Sequence, residues 1–126
     1  MDEKDVRKVK EKAGQYLDAQ VELLREFSKV DCESKDVEGN RRVVDMAEEM
    51  LSQIEGIDIK ETFFEGTGAH IVARIKPENP NGKIVINCHL DTVFPKGFTE
   101  KYPPFVDDDN WLHGLGTGDC KGGFAV

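Results

Sequence analysis

No stretch of this sequence is long and apolar enough to serve as a signal-peptide core or a membrane span, and its first dozen residues, Met1 to Lys12, are dominated by charge. That absence predicts a cytoplasmic protein with no membrane partner. Cysteine is scarce as well. Cys32, Cys88 and Cys120 are odd in number and never in CxxC spacing, which argues against a disulfide framework or a four-thiolate zinc site and leaves reduced thiols as the expectation. Positive charge is in the minority, with 17 Lys and Arg against 25 Asp and Glu and a formal charge of -8. Nucleic-acid binding needs a basic patch to displace condensed counterions, so no nucleic-acid partner is expected.

What is present suits a globular protein: 38% hydrophobic and 33% charged residues, with no repeat or low-complexity tract, over 126 residues. Domains run at roughly 100 to 200 residues, so residues 1–126 are read as part of one domain. Val6, Val9, Ala13, Tyr16, Leu17, Leu23, Leu24 and Phe27 recur at threes and fours and predict a first amphipathic helix over about Asp5 to Lys29. The basic residues from Arg7 to Lys12 fall on its early turns and, interleaved with Glu11, read as a solvated face. Asp36 is placed to cap a second helix whose face carries Val43, Val44, Ala47, Met50, Leu51 and Ile54 and which stops at Gly56.

The period then changes. Ile57, Ile59 and Phe63 alternate with polar residues, and Ile71, Ala73 and Ile75 do the same beyond Gly66 and Gly68, predicting two half-buried strands. Ile84, Val85 and Ile86 form a continuous apolar run that fits a central strand covered on both faces, although periodicity alone fits a short buried helix too. Two helices, then a mostly central β-sheet, then a return to helix after Lys121 predict a layered α/β domain, with ligand chemistry beyond the carboxyl ends of its central strands. The sequence stops at Phe124, Ala125 and Val126 without a cap or polar tail, which reads as a truncated piece of a longer protein.

Two segments carry chemistry. In Cys88-His89-Leu90-Asp91-Thr92-Val93 an imidazole and a carboxylate two residues apart leave the end of a strand on one face. A metal-ligating histidine needs its second ring nitrogen oriented by an acceptor, and Asp91 is placed to be that group. Taken alone, a single HxD is more often a satisfied structural histidine than a metal ligand. The second segment, Gly114 to Gly123, contains Gly114, Gly116, Gly118, Gly122 and Gly123 around Asp119 and Lys121. It fails as a dinucleotide fingerprint because Asp119 stands where the third glycine belongs, and fails as a Walker A loop because no hydroxyl follows Lys121. A carboxylate presented by a glycine-rich turn, downstream of an HxD, suits a hydrolytic metal site in which Asp119 bridges two ions. Lys121 reads as a solvated charge, Cys88 as a core cysteine facing away from His89, and His70 and His113 as structural or solvent-facing. Cys120 is left open between a loop thiol and a metal ligand.

Together, His89-Leu90-Asp91-Thr92-Val93-Phe94-Pro95, Pro104-Phe105 and Gly114 to Gly123 resemble the zinc exopeptidase family of glutamate carboxypeptidase, acetylornithine deacetylase, succinyl-diaminopimelate desuccinylase and aminoacylase. Ser34, Asp36, Gly39 and Asn40 resemble its first loop, so the likeness runs from about Val21 to the last residue. The resemblance implies the N-terminal part of a layered catalytic domain, without the family's lid and dimerisation domain. It implies two Zn2+ ions, replaceable by Co2+ or Mn2+, with His89 binding one ion, Asp119 bridging both and Asp91 steadying His89 for catalysis. The implied substrate is a peptide or N-acyl amino acid cleaved at an amide bond beside a free carboxylate, and the implied full-length protein is a homodimer. The family's adjacent glutamates, one of them the general base, have no counterpart here, so this chain alone is expected to be inactive, to bind zinc weakly and to self-associate. Two further expectations stand beside this one: an amino-acid deacylase or desuccinylase using the same metals, and a non-catalytic binding or scaffold relative.

Overall fold

The computed structural model describes residues 3–126, so the first two residues of the charged N-terminal stretch lie outside it. Its architecture is mixed α/β, with α1 at Glu3–Gly14, α2 at Leu17–Ser28, α3 at Val37–Ser52, β1 at Ile57–Phe63 and β2 at Ala69–Ile75. Short elements follow: α4 at Phe98–Lys101, β3 at Phe105–Val106, β4 at Leu112–His113, a wide π-type turn at Thr117–Lys121, and α5 at Gly122–Ala125. No helix among the described residues is long and apolar enough to cross a membrane.

The single helix expected over Asp5 to Lys29 is two. Glycine is a weak helix former, and at Gly14 the chain tightens: the amides of Gln15 and Tyr16 bond back to the carbonyls of Lys12 and Ala13, three residues earlier. Tyr16 then accepts from Gln20 and starts α2. α1 contributes no buried residue and Val9 is exposed, so only the second half of the predicted stripe faces the core.

α3 begins as the sequence indicates, with the Asp36 carboxylate accepting from the Gly39 amide at 3.0 Å. It ends earlier than expected, at Ser52, because the amides of Gln53 and Ile54 close three-residue turns on Met50 and Leu51. Gly56, at φ +75°, turns the chain into β1. β1 and β2 pair antiparallel from Ile57 opposite Ile75 to Phe63 opposite Ala69. Arg41 ties α3 to this hairpin, bonding Glu61 of β1 and Asp45 of its own helix, both at 2.6 Å.

The core lies between α2, α3 and the later loops. Phe27, Cys32, Val43 and Ala47 are buried, with Leu23, Val30, Met46, Ile71, Leu90 and Phe124 packed against them. The expected central strand is absent: Ile84, Val85 and Ile86 join no ladder and are 93%, 85% and 84% exposed. A both-sides-covered strand needs a partner at each edge. β1 and β2 pair with each other, and the remaining sheet, β3 with β4, is a separate two-residue ladder. The mostly central β-sheet of the sequence reading is therefore two small hairpins among the described residues.

Candidate metal centre

The loop after α2 braces the HxD segment. The Thr92 amide donates to the Cys32 carbonyl at 2.8 Å and the Ser34 amide to the Thr92 carbonyl at 3.0 Å, making a parallel bridge between Glu33 and Thr92. Asn40, buried in the first turns of α3, donates its side-chain amide to the carbonyls of Glu33 and Ser34 at 2.9 and 3.3 Å. The Ser34 hydroxyl donates to the Asp91 carboxylate at 2.6 Å. Asp31 accepts from the amides of Gly97 and Thr99 at 2.6 and 3.1 Å, fixing the start of α4. Partial burial pushes the Asp31 carboxyl upward, but those two amides outweigh it and its pKa lies below the ordinary value.

The glycine-rich segment is anchored from beneath by a residue the sequence reading set aside as solvated. Lys121 is 1% exposed. Its Nζ donates to the carbonyls of Phe27 and Val30 at 2.7 and 3.3 Å, at the C-terminal end of α2, where orphan carbonyls and the helix dipole both favour a cation. Gly116 is at φ +81°, and a Cβ there would stand 3.0 Å from Thr92 and 3.1 Å from the Lys121 stem. At Gly122 a Cβ would fall 2.4 Å from the Thr117 carbonyl oxygen, so the wide turn closes only around glycine. Asp119 is extended within that turn, at φ -144° and ψ 97°, which lifts its carboxylate out to 90% side-chain exposure.

These two supports bring His89 and Asp119 together. His89 Nε2 lies 2.9 Å from Asp119 Oδ1, and its Nδ1 lies 3.0 Å from the Asp91 carbonyl oxygen and 3.4 Å from Asp91 Oδ1. The main-chain oxygen of Asp91 is thus the nearer orienting group, where the sequence pointed to the carboxylate. Both ring nitrogens face oxygen acceptors, whereas a neutral imidazole carries one N–H. The arrangement is satisfied by an imidazolium or by a cation at Nε2. Accordingly the His89 pKa is raised, first by the Asp91 carbonyl and then by Asp119.

Nitrogen and oxygen donors of this kind are ones that divalent cations accept. With bonds of about 2.0 to 2.1 Å, a tetrahedral ion keeps nitrogen and oxygen ligands roughly 3.3 Å apart, so a small opening of the exposed His89–Asp119 contact admits one. The pair borders an open cleft of about 360 Å³ lined also by Ser34, Asp91, Thr92, Phe94, Gly116 and Thr117. No glutamate lines it among the described residues. His70 packs at a tilt against Phe64, and His113 bonds Asp107 at 2.6 Å and stacks on Phe105, so both stand apart from the cleft. Cys88 is half-buried, and burial raises its thiol pKa.

No protein-family model matches the chain, and no curated protein matches it.

Proposed function

We propose that this chain supplies the first part of the dinuclear zinc centre of an amide hydrolase of the glutamate carboxypeptidase type. The observation that carries the reading is His89: Nδ1 is held by the Asp91 carbonyl, leaving Nε2 aimed at the Asp119 carboxylate 2.9 Å away, a contact that would open slightly to admit a divalent cation. Asp119, projecting from a glycine turn, has a second carboxylate oxygen free to bridge toward a neighbouring ion. Divalent metals held here would supply Lewis-acid activation of water and of the substrate carbonyl. His89 and Asp119 hold them, and Asp91 with Ser34 fixes the imidazole. No glutamate lines the cleft among the described residues, so in this reading the general base is not one of the residues seen here. The substrate class is a peptide or N-acyl amino acid with a free carboxylate, and a cytoplasmic location agrees with the acidic composition and three free thiols.

Equilibrium dialysis against Zn2+, with metal analysis of the wild type, His89→Ala and Asp119→Ala, tests the centre. Zinc retained by the wild type and lost in both variants, more completely in Asp119→Ala, is the expected result. Equal zinc in all three would remove both side chains from the metal. An assay on N-acyl amino acids and glutamate-terminated dipeptides should show no turnover by this chain alone. Metal-dependent turnover abolished by His89→Ala would overturn the assignment of the base to other residues.

A further inference from the structure

We propose that the Cys120 thiolate is a third protein ligand at the His89–Asp119 position, so that these three side chains together hold one thiophilic divalent cation. The inference rests on the metal reading of His89 and Asp119 and adds to it a sulfur donor and a preference among metals. His89, Asp119 and Cys120 each direct one donor atom into a common space, and those three atoms lie within 4.8 Å of one another. Zinc bonds of about 2.3 Å to sulfur and 2.0 to 2.1 Å to nitrogen and oxygen bring three ligands to one centre over such a span with modest closure.

Neither of the other two cysteines belongs to this donor group. Cys32 is fully buried and its thiol donates to the Leu90 carbonyl at 3.2 Å. Cys88 stands outside the donor group, and burial favours its protonated form. The Cys120 thiol makes no hydrogen bond among the described residues, while its carbonyl accepts from the Gly122 amide. It sits half-buried at the end of the wide turn, with its sulfur 3.5 Å from where a Cβ on Gly123 would stand. A methyl at 123 would meet the sulfur at ordinary van der Waals distance.

A third donor changes what this chain can do by itself. Two ligands from an exposed pair make a weak site, whereas three protein ligands and an open position are the usual complement of a catalytic zinc. On binding, Cys120 loses its proton to solvent and the metal–sulfur bond takes its place. A nitrogen, oxygen and thiolate set favours zinc, cadmium and cobalt over manganese and magnesium, which narrows the metals expected from the family resemblance.

Cobalt is the probe. The reduced protein titrated with Co2+ should develop the near-ultraviolet absorption of a thiolate-to-cobalt charge transfer. The band should persist in Cys88→Ser and vanish in Cys120→Ser. Zinc affinity in Cys120→Ser should drop by about 10- to 100-fold or more, since even outer-shell changes cost that much, with far-ultraviolet circular dichroism verifying that each variant is folded. Cobalt bound through His89 and Asp119 with no sulfur band in the wild type would overturn the third ligand and leave the metal reading intact. A band that survives Cys120→Ser and is lost in Cys88→Ser would assign the sulfur to the wrong cysteine. Failure of the wild type to bind cobalt, zinc or cadmium would sink both readings together.

Discussion

Lys121 Nζ donates to the Phe27 carbonyl oxygen at 2.7 Å across 94 residues of sequence, joining the turn that carries Asp119 to the end of α2. The ammonium is buried, and its partners there are the carbonyls of Phe27 in the last turn of α2 and of Val30, two residues beyond the helix. Its aliphatic stem underlies Gly116, so one side chain both satisfies the helix end and supports the glycine loop.

Lys121→Ala should therefore destabilise the fold. Leaving buried carbonyls unpaired costs about 1 to 3 kcal/mol, and the lost stem adds a cavity. Urea denaturation measures it. A change within about 0.5 kcal/mol, the range of ordinary surface substitutions, would mean that the buried contact contributes nothing net.

Asp91→Asn should keep the fold and most of the metal, because the main-chain oxygen at 3.0 Å still orients His89 and the new amide oxygen still accepts from Ser34. Outer-shell substitutions cost about 10- to 100-fold in metal affinity or activity, and this one belongs at the mild end. Zinc dialysis on Asp91→Asn beside His89→Ala gives the comparison. Equal loss in the two variants would place the Asp91 carboxylate on the metal itself.

Acid should act through Asp31 and Asp107. Asp107 is held below its ordinary pKa of 3.8, first by His113 and then by the Trp111 amide. The Asp31 pKa is lowered too, by the Gly97 and Thr99 amides against partial burial. A depressed folded-state pKa gives stability that is fully present above the unfolded value and is lost as pH falls through the lower folded value. Their contribution should thus persist at neutral pH and fade only below 3.8. Unfolding curves of Asp31→Asn and Asp107→Asn should show reduced stability at neutral pH and a flatter acid limb. Curves parallel to the wild type at every pH would contradict this.

Ile84, Val85 and Ile86 should drive self-association. Three consecutive β-branched residues, exposed and without a ladder partner, are an open invitation to strand pairing between copies. Sedimentation velocity across protein concentrations should show reversible or irreversible association that Val85→Lys diminishes. A wild-type chain that stays monomeric throughout would refute it.

Local signals in the sequence were read correctly where the determining interaction is itself local. Asp36 caps the helix that starts beside it by accepting from the amide three residues on, and alternation at Ile57 to Phe63 and at Ile71 to Ile75 marks two strands, which pair as a hairpin. The sequence also named His89 and Asp119, which the fold brings into contact. Three features escaped because their causes are distant or negative. Nothing near Lys121 announces carbonyls 91 and 94 residues away. The break at Gly14 interrupts an otherwise continuous apolar stripe, and one glycine inside such a pattern is a weak stop signal. Ile84 to Ile86 has the composition of a central strand, but composition does not supply the neighbouring strands.

The ties that shape the cleft have no local version. Ser34 reaches Asp91 over 57 residues, His89 reaches Asp119 over 30, and Lys121 reaches α2 over more than 90. Helices such as α3 form on contacts three and four residues apart, while contacts of high sequence separation must first close long loops, which slows their formation. During refolding, helical signal should therefore return before the metal-binding geometry does, and a denatured ensemble rich in nascent helix would still lack any trace of the centre. On that order of events the cleft would form late, when the segments around Phe27 to Ser34, His89 to Thr92 and Gly114 to Lys121 are joined.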